Sequence, residues 1–242
     1  MATATKRKRP TKRTDTAATH RDGVAFKLFG SDRGVLVPTW ILDHTSYRRW
    51  ATSDDFPNTG WISYLDGLIW VDLNMERVIH NQIKTQIGAV LALLIESLAL
   101  GYYFGDRMLI TNRGARLSTE PDGMFVSYES IQRGRVLIKK GEDTVELEGS
   151  PDMTLEVVSA SSVEKDTEIL PQLYRQAGVR EYWIVDPRGD EISFNILRQA
   201  PKGYVPSPKR NGWVKSELFG KSFRLTQSAG PHGLSKFRLE AR

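Results

Sequence analysis

The sequence predicts an α/β fold: a central mixed β-sheet flanked by α-helices, with a β-rich C-terminal extension. Three observations carry this. Apolar residues Ile79, Ile83, Ile87, Val90, Leu91 and Leu94 recur at intervals of three and four over residues 76–100, the period of a long helix with one buried face. The run MTLEVVS at 153–159 is almost continuously apolar, which suits a strand covered on both sides. A helical segment over 161–177 and a further strand over 181–185 follow it.

The remaining elements follow in order. Asp43 is placed to cap a short helix containing Tyr47, Arg48, Arg49 and Trp50. Residues 61–73 (WISYLDGLIWVDL) read as a β-hairpin, because Asp66-Gly67 separates two β-rich runs. Gly101 is expected to end the long helix. Strands are expected over 102–111, 123–128 and 136–140, with a tight turn at 141–143 leading into 144–148. Ser161 and Glu164 have capping-box spacing, Pro171 marks a kink or second helix start, and Gly178 marks the stop. The last 40 or so residues alternate Gly, Trp and Phe with charges, giving the β-rich extension.

Composition narrows the class. Of 242 residues 40% are hydrophobic, enough for one sizeable core, so we expect a single domain over 23–242. The longest apolar stretch, 87–100, is interrupted by Glu96, and no membrane span is expected. The basic N-terminus has no apolar segment after it, which argues against a secretory signal. The chain has no cysteine, which excludes disulfides, thiolate metal sites and a thiol nucleophile and suits a cytoplasmic location. Residues 1–22 hold seven basic and two acidic groups, the entire net charge of +5, while the rest carries 27 of each sign. This segment is expected to be a disordered basic tail able to lend salt-sensitive affinity for DNA.

Chemistry concentrates on two carboxylates. Glu156 is the one charge inside a buried strand, so it needs a cation, a proton or a metal ion as compensation. Asp122, after Pro121 at the start of a strand, would lie beside it if the two strands are neighbours. Carboxylates converging at a sheet rim make an oxygen site suited to Mg2+ or Mn2+. Other polar residues have plainer readings. His80 lies on or beside the buried helix face, Asp152 is a strand-entry residue, and Asp166 favours a helix N-terminus by its charge. Tyr182 and Trp183 read as core packing, and Ser161 and Ser162 as caps.

Pro121-Asp122, DMTLEVVS at 152–159, Asp166 and YRQAGVREYWIVD at 174–186 occur in an order that resembles the Uma-type restriction endonuclease family, within the PD-(D/E)XK nuclease superfamily. The resemblance covers about residues 60–200. It implies a restriction-endonuclease-like fold and divalent-metal cleavage of DNA phosphodiester bonds. It places metal on Asp122, Glu156 and the carbonyl of Val157, and it places His80 on an early helix where relatives often carry histidine. A homodimer is the expected partner arrangement for double-strand cutting.

Two departures stand out. The superfamily's lysine, two residues after the strand acid, is here Val158; its alternative place in the next helix, four residues after the Asp, is Leu170. Lys165 is the nearest substitute, although it lies five residues and about 140° from position 170 on an ideal α-helix. Three readings therefore stay open: a nuclease using Lys165, a catalytically lapsed nucleic-acid-binding protein, and a structural or regulatory protein in which Glu156 pairs with Lys165 or Arg175.

Overall fold

The structure, a computed structural model, describes residues 25–29 and 34–242. The basic segment 1–22 lies outside the described residues. The first half runs β1 (Ala25–Phe29), α1 (His44–Ala51), β2 (Trp61–Leu65), β3 (Leu68–Asp72), α2 (Val78–Ser97), β4 (Gly101–Gly105), β5 (Leu109–Asn112), β6 (Leu117–Thr119) and β7 (Gly123–Ser127). Next come α3 (Tyr128–Gln132), β8 (Val136–Leu137), β9 (Glu146–Gly149), β10 (Met153–Val157), a π-helical turn (Lys165–Ile169), α4 (Leu170–Ala177) and β11 (Glu181–Asp186). The chain closes with β12 (Ser193–Ala200), β13 (Gly203–Pro206), β14 (Lys209–Arg210), β15 (Trp213–Ser216), β16 (Lys221–Ala229) and β17 (Ser235–Ala241).

The expected central mixed sheet is the six-stranded one, ordered β13-β12-β11-β10-β7-β4. Its β10 and β11 are parallel, and β7 pairs antiparallel with β10, Gly123 opposite Leu155. Phe125, Leu155, Val157, Trp183 and Val185 share one apolar cluster with Ile83, Ile87, Leu91 and Ile95 of α2. Met124, Val126 and Tyr182 share another with Leu170, Leu173 and Tyr174 of α4, together with Leu65, Trp70 and Leu117. The strand residues alternate between these clusters as pleating requires. α2 has the length and mean hydropathy of a membrane span, but its apolar stripe is packed on this sheet.

Two further sheets complete the molecule. A seven-stranded sheet, β1-β3-β2-β6-β5-β9-β8, is built from residues 25–149; the expected hairpin over 61–73 and the strands expected over 136–140 and 144–148 belong to it, while their union in one sheet was not expected. That hairpin turns at Asp66 (φ 48°) and Gly67 (φ 95°), two left-handed residues in succession, which is why Asp-Gly stands there. The C-terminal extension is a four-stranded antiparallel sheet, β14-β15-β16-β17. Its Phe223, Phe237 and Leu239 enter the α2 cluster. Buried Glu181 fastens it: its carboxylate accepts from the Glu217 N–H at 2.7 Å and the Ser216 hydroxyl at 2.7 Å.

Several boundaries differ from the sequence reading. The long helix stops at Ser97, with Ala99 in a left-handed conformation (φ 48°). Gly101 instead opens β4, where a Cβ would lie 2.1 Å from the Val126 carbonyl oxygen. The single strand expected over 102–111 is two strands in different sheets, since Arg107 takes a positive φ between them. The helix over 161–177 is interrupted by the π-helical turn. Pro171 has no N–H to give to residue 167 and its ring presses on that carbonyl, so the turn widens ahead of it. Ser161 does not cap this helix, because its hydroxyl donates to Asp72 at 2.5 Å.

Two outcomes test this architecture. Gly101→Ala should destabilise the fold by about 1–3 kcal/mol in urea titration, because backbone rather than a movable side chain opposes the added methyl. Gly105→Ala, with nothing within 4 Å, should fall within the ordinary spread of surface substitutions. The second outcome concerns His44, which bonds Ser118 at 2.8 Å and stacks on Tyr64. Burial, assisted by the Arg48 charge, pulls its imidazole down from 6.5 to about 4. The unfolded chain therefore takes up this proton first as pH falls, so the stability His44 contributes is full above 6.5 and is lost toward 4. Thermal melts should show the wild type losing Tm relative to His44→Gln across that window; parallel curves would refute the assignment.

Candidate active site

The C-terminal end of β10 opens into a cleft of about 860 Å³ between the central sheet, the β2–β3 hairpin and the π-helical turn. Strand pairing brings the two acids together as the sequence suggested. Extending the β7–β10 register places Asp122 opposite Glu156. Asp122 Oδ2 accepts from the Val157 N–H at 2.7 Å, which fixes its carboxylate on the strand end.

α2 supplies the groups around Asp122. Its Nε2 atom on His80 donates to the Val157 carbonyl at 2.5 Å and lies 3.3 Å from Asp122 Oδ2, while Nδ1 faces Glu76 at 2.6 Å. One turn on, Lys84 lies 2.5 Å from Glu76, 2.8 Å from Asp106 and 3.6 Å from Asp122. Burial alone would lower His80, but the hydrogen bond and charge of Asp122, with Glu76, raise it to about 9. Lys84 follows the same logic: burial opposes its charge, and Asp122, Asp106 and Glu76 overcome it, to about 12. Burial would push Asp122 up, yet His80, Lys84 and the Val157 N–H hold it below the usual carboxylate range.

Glu156 has the opposite balance. It is 2% exposed, and burial drives it well above the ordinary carboxylate value; Asp166 and Asp122 push the same way, against Lys165 and a Tyr174 hydrogen bond. The Tyr174 hydroxyl donates to Oε1 at 2.6 Å, and Lys165 Nζ is 3.9 Å from Oε2. Asp166 is also buried, 3.3 Å from Lys165, and burial raises it to about 6. Two adjacent acids are thus pushed to opposite protonation states, a pattern typical of acid–base sites.

Lys165 is the position where local geometry overturns expectation. The Leu170 N–H bonds the Lys165 carbonyl, an i→i+5 turn, so five residues close about one turn and position 165 stacks beneath 170. The azimuthal objection to Lys165 applies to an α-helix and not to this one. Leu170 and Val158 are fully buried apolar residues, leaving Lys165 and Lys84 as the ammonium groups beside the acids.

Of the sequence candidates, Asp122, Glu156, Val157, His80 and Lys165 all line this cleft. Asp152 is buried and accepts from the Ser127 N–H and the Ser130 hydroxyl, as a structural group. Arg175 donates to the Pro201 carbonyl, so it is not the partner of Glu156. Asp166, read as a helix-end charge, belongs to the acid cluster instead. Lys84, Glu76 and Tyr174 were missed; Lys84 lies four residues beyond His80 and Tyr174 four beyond Leu170, spacings that share a helix face once the site end is known.

The donors fit a hard divalent cation in part. Burial holds Glu156 short of compensation, and Asp166 Oδ1, though 3.3 Å from Lys165 Nζ, is buried without a hydrogen-bond partner among the described residues. Among the described residues no group of three or more His, Asp or Glu is arranged to hold a metal, so two carboxylates and the Val157 carbonyl are the available set. His80 Nε2 occupies one lone pair of that carbonyl, and the second would be the one offered to a cation.

Comparison with known proteins follows the geometry. No curated protein sequence is similar to the chain. A solved structure from Anabaena variabilis, titled a "putative nuclease belonging to DUF820", aligns with a TM-score of 0.53 at 17% identity, covering 66% of this chain and 83% of that one; at this identity the likeness establishes the fold. The family model Uma2, described as "Putative restriction endonuclease", matches residues 45–227, and the chain belongs to that family.

Proposed function

We propose that this protein is a metal-dependent DNA endonuclease whose chemistry is carried by Asp122, Glu156 and Lys165. The observation that supports it most is Lys165 itself: an ammonium group brought by a π-helical turn to the acid pair of a nuclease-type family whose usual lysine positions are apolar here. Asp122, Glu156 and the Val157 carbonyl would hold Mg2+ or Mn2+, which when bound supplies Lewis-acid polarisation of the phosphodiester and a more acidic water. Tyr174 orients Glu156 through its 2.6 Å hydrogen bond. His80 and Lys84 keep Asp122 ionised and in place. Lys165 donates to the attacking water and to the charge that develops on the phosphate oxygens, a contribution of about 10²–10³ in rate for a well-placed donor.

A second reading, a nucleic-acid-binding protein without catalysis, is favoured by one fact: Val158 and Leu170 occupy both customary lysine positions. Nicking of supercoiled plasmid with Mg2+, Mn2+ or EDTA separates the two. We expect metal-dependent nicking that falls about 10²-fold or more in Asp122→Asn, Glu156→Gln and Lys165→Met, with fold retained by circular dichroism. Full activity in Lys165→Met would remove that residue from the mechanism. Absence of nicking by folded wild-type protein that still binds DNA would establish the second reading.

A further inference from the structure

The wall of the cleft facing the acids has no part in that chemistry. Pairing of β2 with β3 sets Trp61 beside Asp72 and Ser63 beside Trp70, so the four side chains share one sheet face. All four line the cleft. Ser63 is satisfied by Thr119 at 2.9 Å, and Asp72 accepts from Ser161 and Asn74. Trp70 is different. It is 1% exposed, its ring stacks on Phe29 at 4.6 Å, and its Nε1–H has no acceptor among the described residues. Glu120 also lines the cleft, and its Oε2 is enclosed with no hydrogen-bond partner among the described residues, Arg107 standing 3.7 Å away.

An enclosed indole N–H and an enclosed carboxylate oxygen are both costly to leave unpaired. The pair also restricts what can satisfy it. A cation would suit Glu120, although Arg107 already stands 3.7 Å from it, but it cannot accept from Trp70. A phosphate could accept from Trp70 but meets Glu120 as a like charge. A flat group that offers an acceptor and an N–H donor satisfies both, and every nucleobase has such an edge. Trp61 adds an aromatic surface at the mouth, with the Arg107 guanidinium 5.5 Å from its ring centre.

We propose that this wall is a subsite for one unpaired nucleobase of the DNA strand, with Trp70 donating to a base acceptor and Glu120 accepting from a base N–H. In a continuous duplex that edge is occupied by the complementary base, so the subsite selects a bulged, flipped or single-stranded nucleotide. The proposal rests on the nuclease reading for the identity of the ligand.

The test is fluorescence anisotropy in EDTA with the full chain and a short labelled duplex, either fully paired or carrying one unpaired base. We expect wild type to bind the bulged duplex about tenfold more tightly, the size of a well-formed buried hydrogen bond. Glu120→Met, which has no oxygen acceptor, and Trp70→Phe should each reduce that preference to about twofold or less, with affinity for paired DNA unchanged. Equal binding of both duplexes by wild type, or a preference that survives both variants, overturns the subsite. If Trp70→Phe does not fold, Glu120→Met, which keeps the length of the side chain and removes its acceptor, decides alone. Plasmid nicking run in parallel separates the two ideas: bulge preference without nicking removes only the nuclease reading, and nicking without preference removes only the subsite.

Discussion

The site is organised by the burial of Glu156 in the middle of a strand that is covered on both faces. A carboxylate there has lost its water, and nothing on β10 itself can replace it. The neighbours that replace it come from elements outside β10: the Tyr174 hydroxyl from α4 and the Lys165 ammonium from the π-helical turn. Neither supplies a full counter-charge at hydrogen-bond distance, since Lys165 stands 3.9 Å away and is shared with Asp166. The chain has therefore built a carboxylate that favours its protonated form beside one that favours its ionised form. A structural ion pair would be tighter and drier; this arrangement keeps a charge demand open toward a cleft.

How much of this could be read from the sequence depended on whether local pattern or tertiary contact set the feature. The helix period around Ile83 and Ile87 and the Asp-Gly turn at 66–67 are local, and both are present as expected. The fold class and the convergence of Asp122 on Glu156 were legible because an acid in a buried strand constrains its neighbours. The seven-stranded sheet as a whole was not: β6, with three residues, is too short to show a period, and the pairing that joins it to the strands read around 61–73 and 136–148 is fixed by partners elsewhere in the chain. Lys84 escaped notice for a related reason: on a helix drawn alone it is one more polar residue, and only the fold gathers Glu76, Asp106 and Asp122 around it.

Lys165 shows how a backbone irregularity can move a functional group without moving the elements around it. On an α-helix, position 165 would face away from the azimuth of position 170. A single wide turn closes that gap, and Pro171 provides a local cause for it. The core keeps Leu170 packed among Leu173, Tyr174 and Tyr182, while the ammonium reaches the acids from one turn earlier. Val158 and Leu170, at the two positions where the resemblance leads one to expect lysine, are both buried among apolar side chains.

The C-terminal sheet gains a physical role from the same contacts. Asp122 is held by His80 and Lys84, and both depend on where α2 sits. The buried stripe of α2 meets β10 on one side and Phe223, Phe237 and Leu239 of the C-terminal sheet in the same cluster, so α2 is clamped between them. Glu181 carries that clamp back to the central sheet through the 216–218 backbone and the Ser216 hydroxyl. The motif spanning 181–186 is accordingly a structural device: its acid anchors the extension, the extension fixes α2, and α2 sets the charge and orientation of Asp122 at the cleft.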